Sequence, residues 1–120
     1  EEIKHYLGRE TYNSARSTNQ IEMCPLEYMR GRNFHNAFMI LDEAQNATYE
    51  QIKMFLTRIG IGSKAVINGD VSQTDLAGAC DGGLDACMDK LEDVEGVAIC
   101  ELTPDDIVRN GIISKILAKL

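Results

Sequence analysis

The stretch Phe38-Met-Ile-Leu-Asp-Glu-Ala-Gln-Asn46 decides how this sequence is read. Four apolar residues, Phe38 to Leu41, run without polar alternation into adjacent carboxylates at Asp42 and Glu43. A short unbroken apolar run predicts a strand buried on both faces. In an open α/β sheet such a strand presents its first polar side chains at the carboxyl edge, where ligands bind. Asp42 and Glu43 then share that edge, one suited to a magnesium ion and the other to a water molecule.

Downstream, the pattern alternates. Thr48-Tyr-Glu-Gln51 has the spacing of a capping box, a hydroxyl at the N-cap and an amide three residues later. Ile52, Phe55, Leu56 and Ile59 follow at helical spacing, and Gly60 stands where a C′ glycine would end the helix. A second buried strand is expected over residues 64–68, ending in Gly69-Asp-Val-Ser-Gln73. Gly78, Gly82 and Gly83 mark a connection, and Leu84, Cys87, Met88 and Leu91 repeat the helical spacing. Residues 97–102 read as a third strand. Thr103-Pro-Asp-Asp106 opens a last helical region with proline at its first position, and Asn110-Gly111 interrupts it. Strand–helix alternation of this kind predicts an α/β fold: a mostly parallel sheet with helices on both faces.

Upstream, the signals thin out. Residues 1–20 predict a poorly defined short helix followed by an exposed loop, and the core is expected over residues 21–120. Residues 21–24 read as a short strand closed by Pro25, because the residue before proline prefers an extended backbone. In Tyr28-Met-Arg-Gly-Arg-Asn-Phe34, Arg30 and Arg32 flank a glycine. The pair reads either as a solvated turn or as two guanidinium groups near a phosphate, whose oxygens accept paired arginine hydrogen bonds.

Composition bounds the function. One domain is expected from 120 residues, with 44% hydrophobic and 26% charged content. The net charge of −7 argues against nonspecific nucleic-acid binding by the surface as a whole. The four cysteines form no C-x-x-C pair and have only His5 and His35 to join them, so a zinc site is not expected. Cys24 and Cys100 lie in apolar runs and read as small hydrophobes in a reducing, cytoplasmic setting. The sequence has neither a signal-peptide pattern nor an apolar run long enough to span a membrane. Its opening, Glu1-Glu-Ile-Lys4, lacks an initiator methionine and reads as an excised fragment.

Ile40-Leu-Asp-Glu-Ala-Gln45 with Gly69-Asp-Val-Ser-Gln73 is similar to motifs II and III of superfamily-one helicases, the first being a Walker B motif. The fuller set resembles the PhoH-like family. It comprises Met29-Arg-Gly-Arg32, Leu41-Asp-Glu-Ala-Gln-Asn46, Lys53-Met-Phe-Leu-Thr-Arg-Ile-Gly60, Gly69-Asp70 and Asp106-Ile-Val-Arg109. The resemblance covers roughly residues 20–120. It implies the carboxyl-terminal portion of a cytoplasmic P-loop ATPase with a three-layer sheet, from a family linked to phosphate starvation and often carried by phages. It further implies ATP and Mg2+ as ligands, with Asp42 on the magnesium side through water and Glu43 activating water. Gln45 and Gln73 would sense the third phosphate, with Asp70 supporting that contact. Arg58 and Arg109 would contact phosphate or a neighbouring subunit, surface salt bridging being the alternative for both. RNA or single-stranded nucleic acid, and a homo-oligomeric ring, are partners implied by the resemblance alone.

The departure from the family is large. A P-loop ATPase cradles phosphates with G-x-x-x-x-G-K-[ST] between a strand and a helix. No such run occurs in these 120 residues. Gly60-Ile-Gly-Ser-Lys64 follows a helix and precedes a strand, the reverse of the required order. By this reading the chain alone hydrolyses ATP negligibly. A noncatalytic binding or assembly module of the same fold is the competing function. A receiver-like or flavodoxin-like domain would also alternate, but explains neither Gln45 nor the Gly-Asp-x-x-Gln run.

Overall fold

The strand–helix–strand alternation expected from Phe38 onward is present in the computed structural model, which describes residues 1–71, 83–106, 108, 111–117 and 119. In chain order the elements are α1 (Glu2–Leu7), α2 (Arg9–Ser17), β1 (Phe38–Leu41), α3 (Tyr49–Leu56), β2 (Lys64–Ile67), α4 (Gly83–Leu91) and α5 (Gly111–Leu117). Short 3-10 turns occupy Leu26–Met29, Ala44–Asn46 and Pro104–Asp106. The chain divides into two packed units, Glu1–Cys87 and Met88–Leu120.

In the first unit, β1 and β2 form a parallel pair, with Phe38 opposite Lys64 and Leu41 opposite Ile67. Parallel strands need a crossover, and α3 supplies it. Its capping box forms as the spacing predicts. The Gln51 N–H donates to Thr48 Oγ1 at 3.2 Å, and the Thr48 N–H donates to Gln51 Oε1 at 2.9 Å. Ile52 is fully buried and Phe55 nearly so. Burying each of these side chains contributes about 1.5–3 kcal/mol. The helix ends at Leu56, one turn earlier than expected, where Thr57 Oγ1 donates to the Met54 carbonyl. Gly60 is therefore no C′ residue. A Cβ there would lie 2.5 Å from His35 Nδ1 and 2.6 Å from the Phe34 carbonyl oxygen, so glycine allows close approach of the two chains entering the sheet.

Three expectations need correction. First, β1 is not buried on both faces. Met39 and Leu41 are buried, while Phe38 and Ile40 are 66% and 52% exposed. Successive strand residues point to opposite faces, and only the Met39 and Leu41 face joins the core. Second, β1 and β2 are the only strands among the described residues. Residues 21–24 are irregular. Residues 97–102 are irregular too: the Val97 N–H donates to the Val94 carbonyl in a tight turn around Gly96, whose φ is +89°. With no ladder to join, Val97, Cys100 and Leu102 stay exposed. The layer count is accordingly coarser than expected: a two-stranded parallel α/β unit. Third, the polar run after Gly8 is helical to Ser17 rather than a loop. Ala15 is the single buried residue of α2, with Tyr12 half-buried three positions earlier. Two such residues are too few to raise a periodic signal.

The start of the last helical region, at Thr103-Pro-Asp-Asp106, is in place. Asp106 accepts from the Thr103 N–H and hydroxyl at 2.7 and 3.1 Å, and these bonds lower its pKa. A 3-10 turn forms over Pro104–Asp106 and Gly111–Leu117 is helical, while Asn110 lies outside the described residues.

Removing the α3 cap tests this account. Thr48→Ala should lower the unfolding free energy by about 1 kcal/mol in denaturant titrations. An unchanged midpoint would show that α3 is held by packing alone.

Candidate functional site

Beyond Leu41, the ladder between the two strands gains an extra residue. The Asn68 N–H donates to the Leu41 carbonyl at 2.8 Å, and the Asn68 carbonyl accepts from the Ala44 N–H at 2.9 Å. A regular parallel register would place residue 43, not 44, on that carbonyl. Asp42 and Glu43 are thereby squeezed out of the ladder as a bulge, the device that re-aims side chains at sheet ends. Glu43 takes the left-handed conformation, φ 53° and ψ 39°, which is uncommon for a residue with a Cβ. Its N–H, released from the ladder, donates to Asp42 Oδ1 at 3.1 Å. Both carboxylates are exposed at the carboxyl edge.

Behind them lies Gln45, the one buried polar residue among the described residues. Its Nε2 donates to Glu43 Oε2 at 2.6 Å, and its Oε1 accepts from the Asp70 N–H at 3.0 Å. One amide thus ties the end of β1 to the chain leaving β2. Gly69 makes room for it. A Cβ there would sit 2.6 Å from Leu84 Cδ2 and 3.0 Å from both the Gln45 nitrogen and Oε1. Gly83 permits a similar approach, since its Cβ would lie 2.5 Å from the Tyr49 nitrogen. The structure therefore brings together Asp42, Glu43, Gln45 and Asp70. Gln73 and Arg109 lie outside the described residues. The reading from sequence passed over Asn68 and Leu84, although Asn68-Gly69 after an apolar run is itself a turn signal.

The arginines are elsewhere. The pairing of the two chains continues upstream of β1: the Phe34 N–H donates to the Arg58 carbonyl, and the Gly60 N–H to the Phe34 carbonyl. Arg30, Arg32 and Arg58 thus enter at the amino edge. The four residues of β1, rising about 3.3 Å each, then separate that edge from Asp42. Within one chain these arginines are not brought to Asp42 and Glu43. Arg30 is exposed beside Gly31. Arg32 donates both Nη groups to Glu22, at 2.7 and 2.9 Å, and its guanidinium lies 4.6 Å from the Phe34 ring centroid. Arg58 Nη2 donates to Thr57 Oγ1, while its buried Nε has no hydrogen-bond partner among the described residues.

The paired hydrogen bonds from Arg32 lower the Glu22 pKa and raise that of Arg32. A carboxyl held below its ordinary value stabilises the fold above the usual glutamate range. That contribution drains away as pH falls through the lowered value. Because both groups are exposed, the effect on stability is small. NMR titration should place the Glu22 midpoint below that of an isolated glutamate, and Arg32→Gln should return it there. A midpoint indifferent to Arg32→Gln would refute the pair.

Among the described residues no three His, Cys, Asp or Glu side chains cluster to hold a metal unaided, and no helix is long and apolar enough to cross a membrane. The sequence matches the family model described as PhoH-like protein over residues 1–120. It is 54% identical over 101 residues to a PhoH-like protein of Mycobacterium tuberculosis, covering 84% of this chain and 29% of that protein. It is 50% identical over 97 residues to a PhoH-like protein of Bacillus subtilis, covering 81% and 30%. It is 43% identical over 98 residues to protein PhoH of Escherichia coli, covering 82% and 28%. The chain thus spans less than a third of the length of these relatives. With the whole of its length matched and identities this high, the chain belongs to the PhoH-like family.

Proposed function

We propose that this segment supplies the Walker B half of a magnesium-dependent ATPase site of P-loop type in a family-length protein. The observation that supports it most is the bulge carrying Asp42 and Glu43 out of the ladder beside Gly69-Asp70. Two carboxylates on consecutive residues cannot serve different partners from a regular strand without pointing to opposite faces. The bulge lets both face the edge where ligands bind in open α/β sheets.

The donor set fits magnesium. This ion takes one or two carboxylates and completes its shell with water and phosphate oxygens, which an exposed carboxylate such as Asp42 would suit. Asp42 would hold it, and the ion, when bound, supplies charge neutralisation for the terminal phosphates. Glu43 keeps Oε2 on Gln45 and leaves Oε1 for water. As water attacks the terminal phosphorus, its proton passes to Glu43, the P–O bond to the leaving diphosphate breaks, and ADP and phosphate form. Gln73, three residues past Asp70, would sense the third phosphate, as the family resemblance implies. Arg58, at the far edge, would act on phosphate from a neighbouring subunit, and Arg109 would contact phosphate or a neighbouring subunit.

The test is ATP turnover in a family-length protein carrying this segment. Magnesium-dependent hydrolysis is expected, with Glu43→Gln lowering kcat by about 10²- to 10⁴-fold while nucleotide binding persists. The 120-residue chain alone should turn over ATP negligibly, for want of a phosphate-cradling loop. Undiminished turnover in Glu43→Gln would sink the assignment.

A further inference from the structure

We infer that Gln45 is a positioning residue. It fixes the Glu43 carboxylate and locks the bulge to the chain leaving β2, rather than contacting the nucleotide. The inference rests on the ATPase reading above and deepens it.

Three observations converge on Gln45. It is buried, whereas the carboxylates it serves are exposed. Both ends of its amide are engaged by the protein: Nε2 with Glu43 Oε2 at 2.6 Å, Oε1 with the Asp70 N–H at 3.0 Å. The backbone on either side is built around it, with a Cβ at Gly69 meeting Oε1 at a tight 3.0 Å and Glu43 held at φ 53°. A left-handed glutamate on a bulge has no ladder bond of its own to orient it. The exposed side chain would otherwise sample several rotamers at an entropic cost to any reaction that needs one of them. A donor at 2.6 Å selects one carboxylate oxygen and leaves the other facing out. The same amide reads the position of Asp70, so displacement of the Gly69-Asp70 turn is transmitted to Glu43 through one side chain. A residue whose oxygen and nitrogen are both engaged in this way is poorly placed to sense a phosphate directly. Its influence on catalysis therefore runs through Glu43.

Two variants separate the halves of the clamp. Gln45→Glu keeps an oxygen for the Asp70 N–H but sets oxygen against oxygen at Glu43. Gln45→Met fills the same space and makes neither bond. In the family-length protein, both should lower kcat by about 10- to 100-fold, the scale of a misplaced reacting group. KM for Mg-ATP should stay within about twofold. On a Glu43→Gln background the same substitutions should cost nothing further, because their effect passes through that carboxylate. A rise in KM at constant kcat, or a full additional loss on the Glu43→Gln background, would overturn the inference and leave the ATPase reading intact. If the unsubstituted protein shows no turnover, the ATPase reading fails, and the clamp is decided on the 120-residue chain by NMR. There, Gln45→Met should speed solvent exchange of the Asp70 amide and Gln45→Glu should not, with the Ile52 and Phe55 amides unchanged in both as a check on folding. An Asp70 amide indifferent to Gln45→Met would overturn the clamp.

Discussion

The candidate site depends on one main-chain residue. Asn68 bonds Leu41 with its N–H and Ala44 with its carbonyl, so two residues of the first strand's chain must leave the ladder between those bonds. The grip costs a left-handed backbone at Glu43, an expense of the order of 1–3 kcal/mol. It is offset by what surrounds it: the Asp42 cap on the Glu43 N–H, the Gln45 amide, and the buried Ala44 and Ala47 that anchor the following turn. Strain concentrated on a carboxylate at the carboxyl edge of a parallel pair supports the proposed site over a merely polar strand end.

Several parts of this arrangement were legible before any coordinates. The capping box at Thr48, the strand ending in Asp42-Glu43, and the second strand ending in Gly69-Asp70 are local signals. Each is carried by a run of no more than seven consecutive residues, and each was found in place. The bulge was not legible, because it depends on which amide meets the Asn68 carbonyl, a matter of register between segments 24 residues apart. The dual role of Gln45 was hidden for the same reason. Only its place between Ala44 and Ala47 hinted that a polar side chain was going inside. Residues 97–102 failed in the opposite direction. Their β-branched composition suits a strand, but a strand exists only where a neighbour offers a ladder, and here the turn at Gly96 takes the Val97 N–H instead.

The arginines show how topology can separate what a list of motifs places side by side. Arg30, Arg32 and Arg58 belong with Asp42 and Glu43 by family resemblance, yet a parallel strand pair sends residues before the strands to one edge and residues after them to the other. Arg32 is occupied there, forked onto Glu22 and set against Phe34, as suits a brace for the irregular segment between α2 and β1. Among the described residues, the acidic edge thus presents Asp42, Glu43 and Asp70, with the Gln45 amide behind them.

Manganese, a paramagnetic substitute for magnesium at oxygen ligands, tests this separation most directly. In amide NMR spectra of the 120-residue chain titrated with Mn2+ and ATP, broadening should begin at Asp42, Glu43 and Asp70. It should spare Arg30, Arg32 and Phe34 at the opposite edge. Broadening that begins at the arginine edge, or that spreads evenly over the acidic surface, would contradict the account.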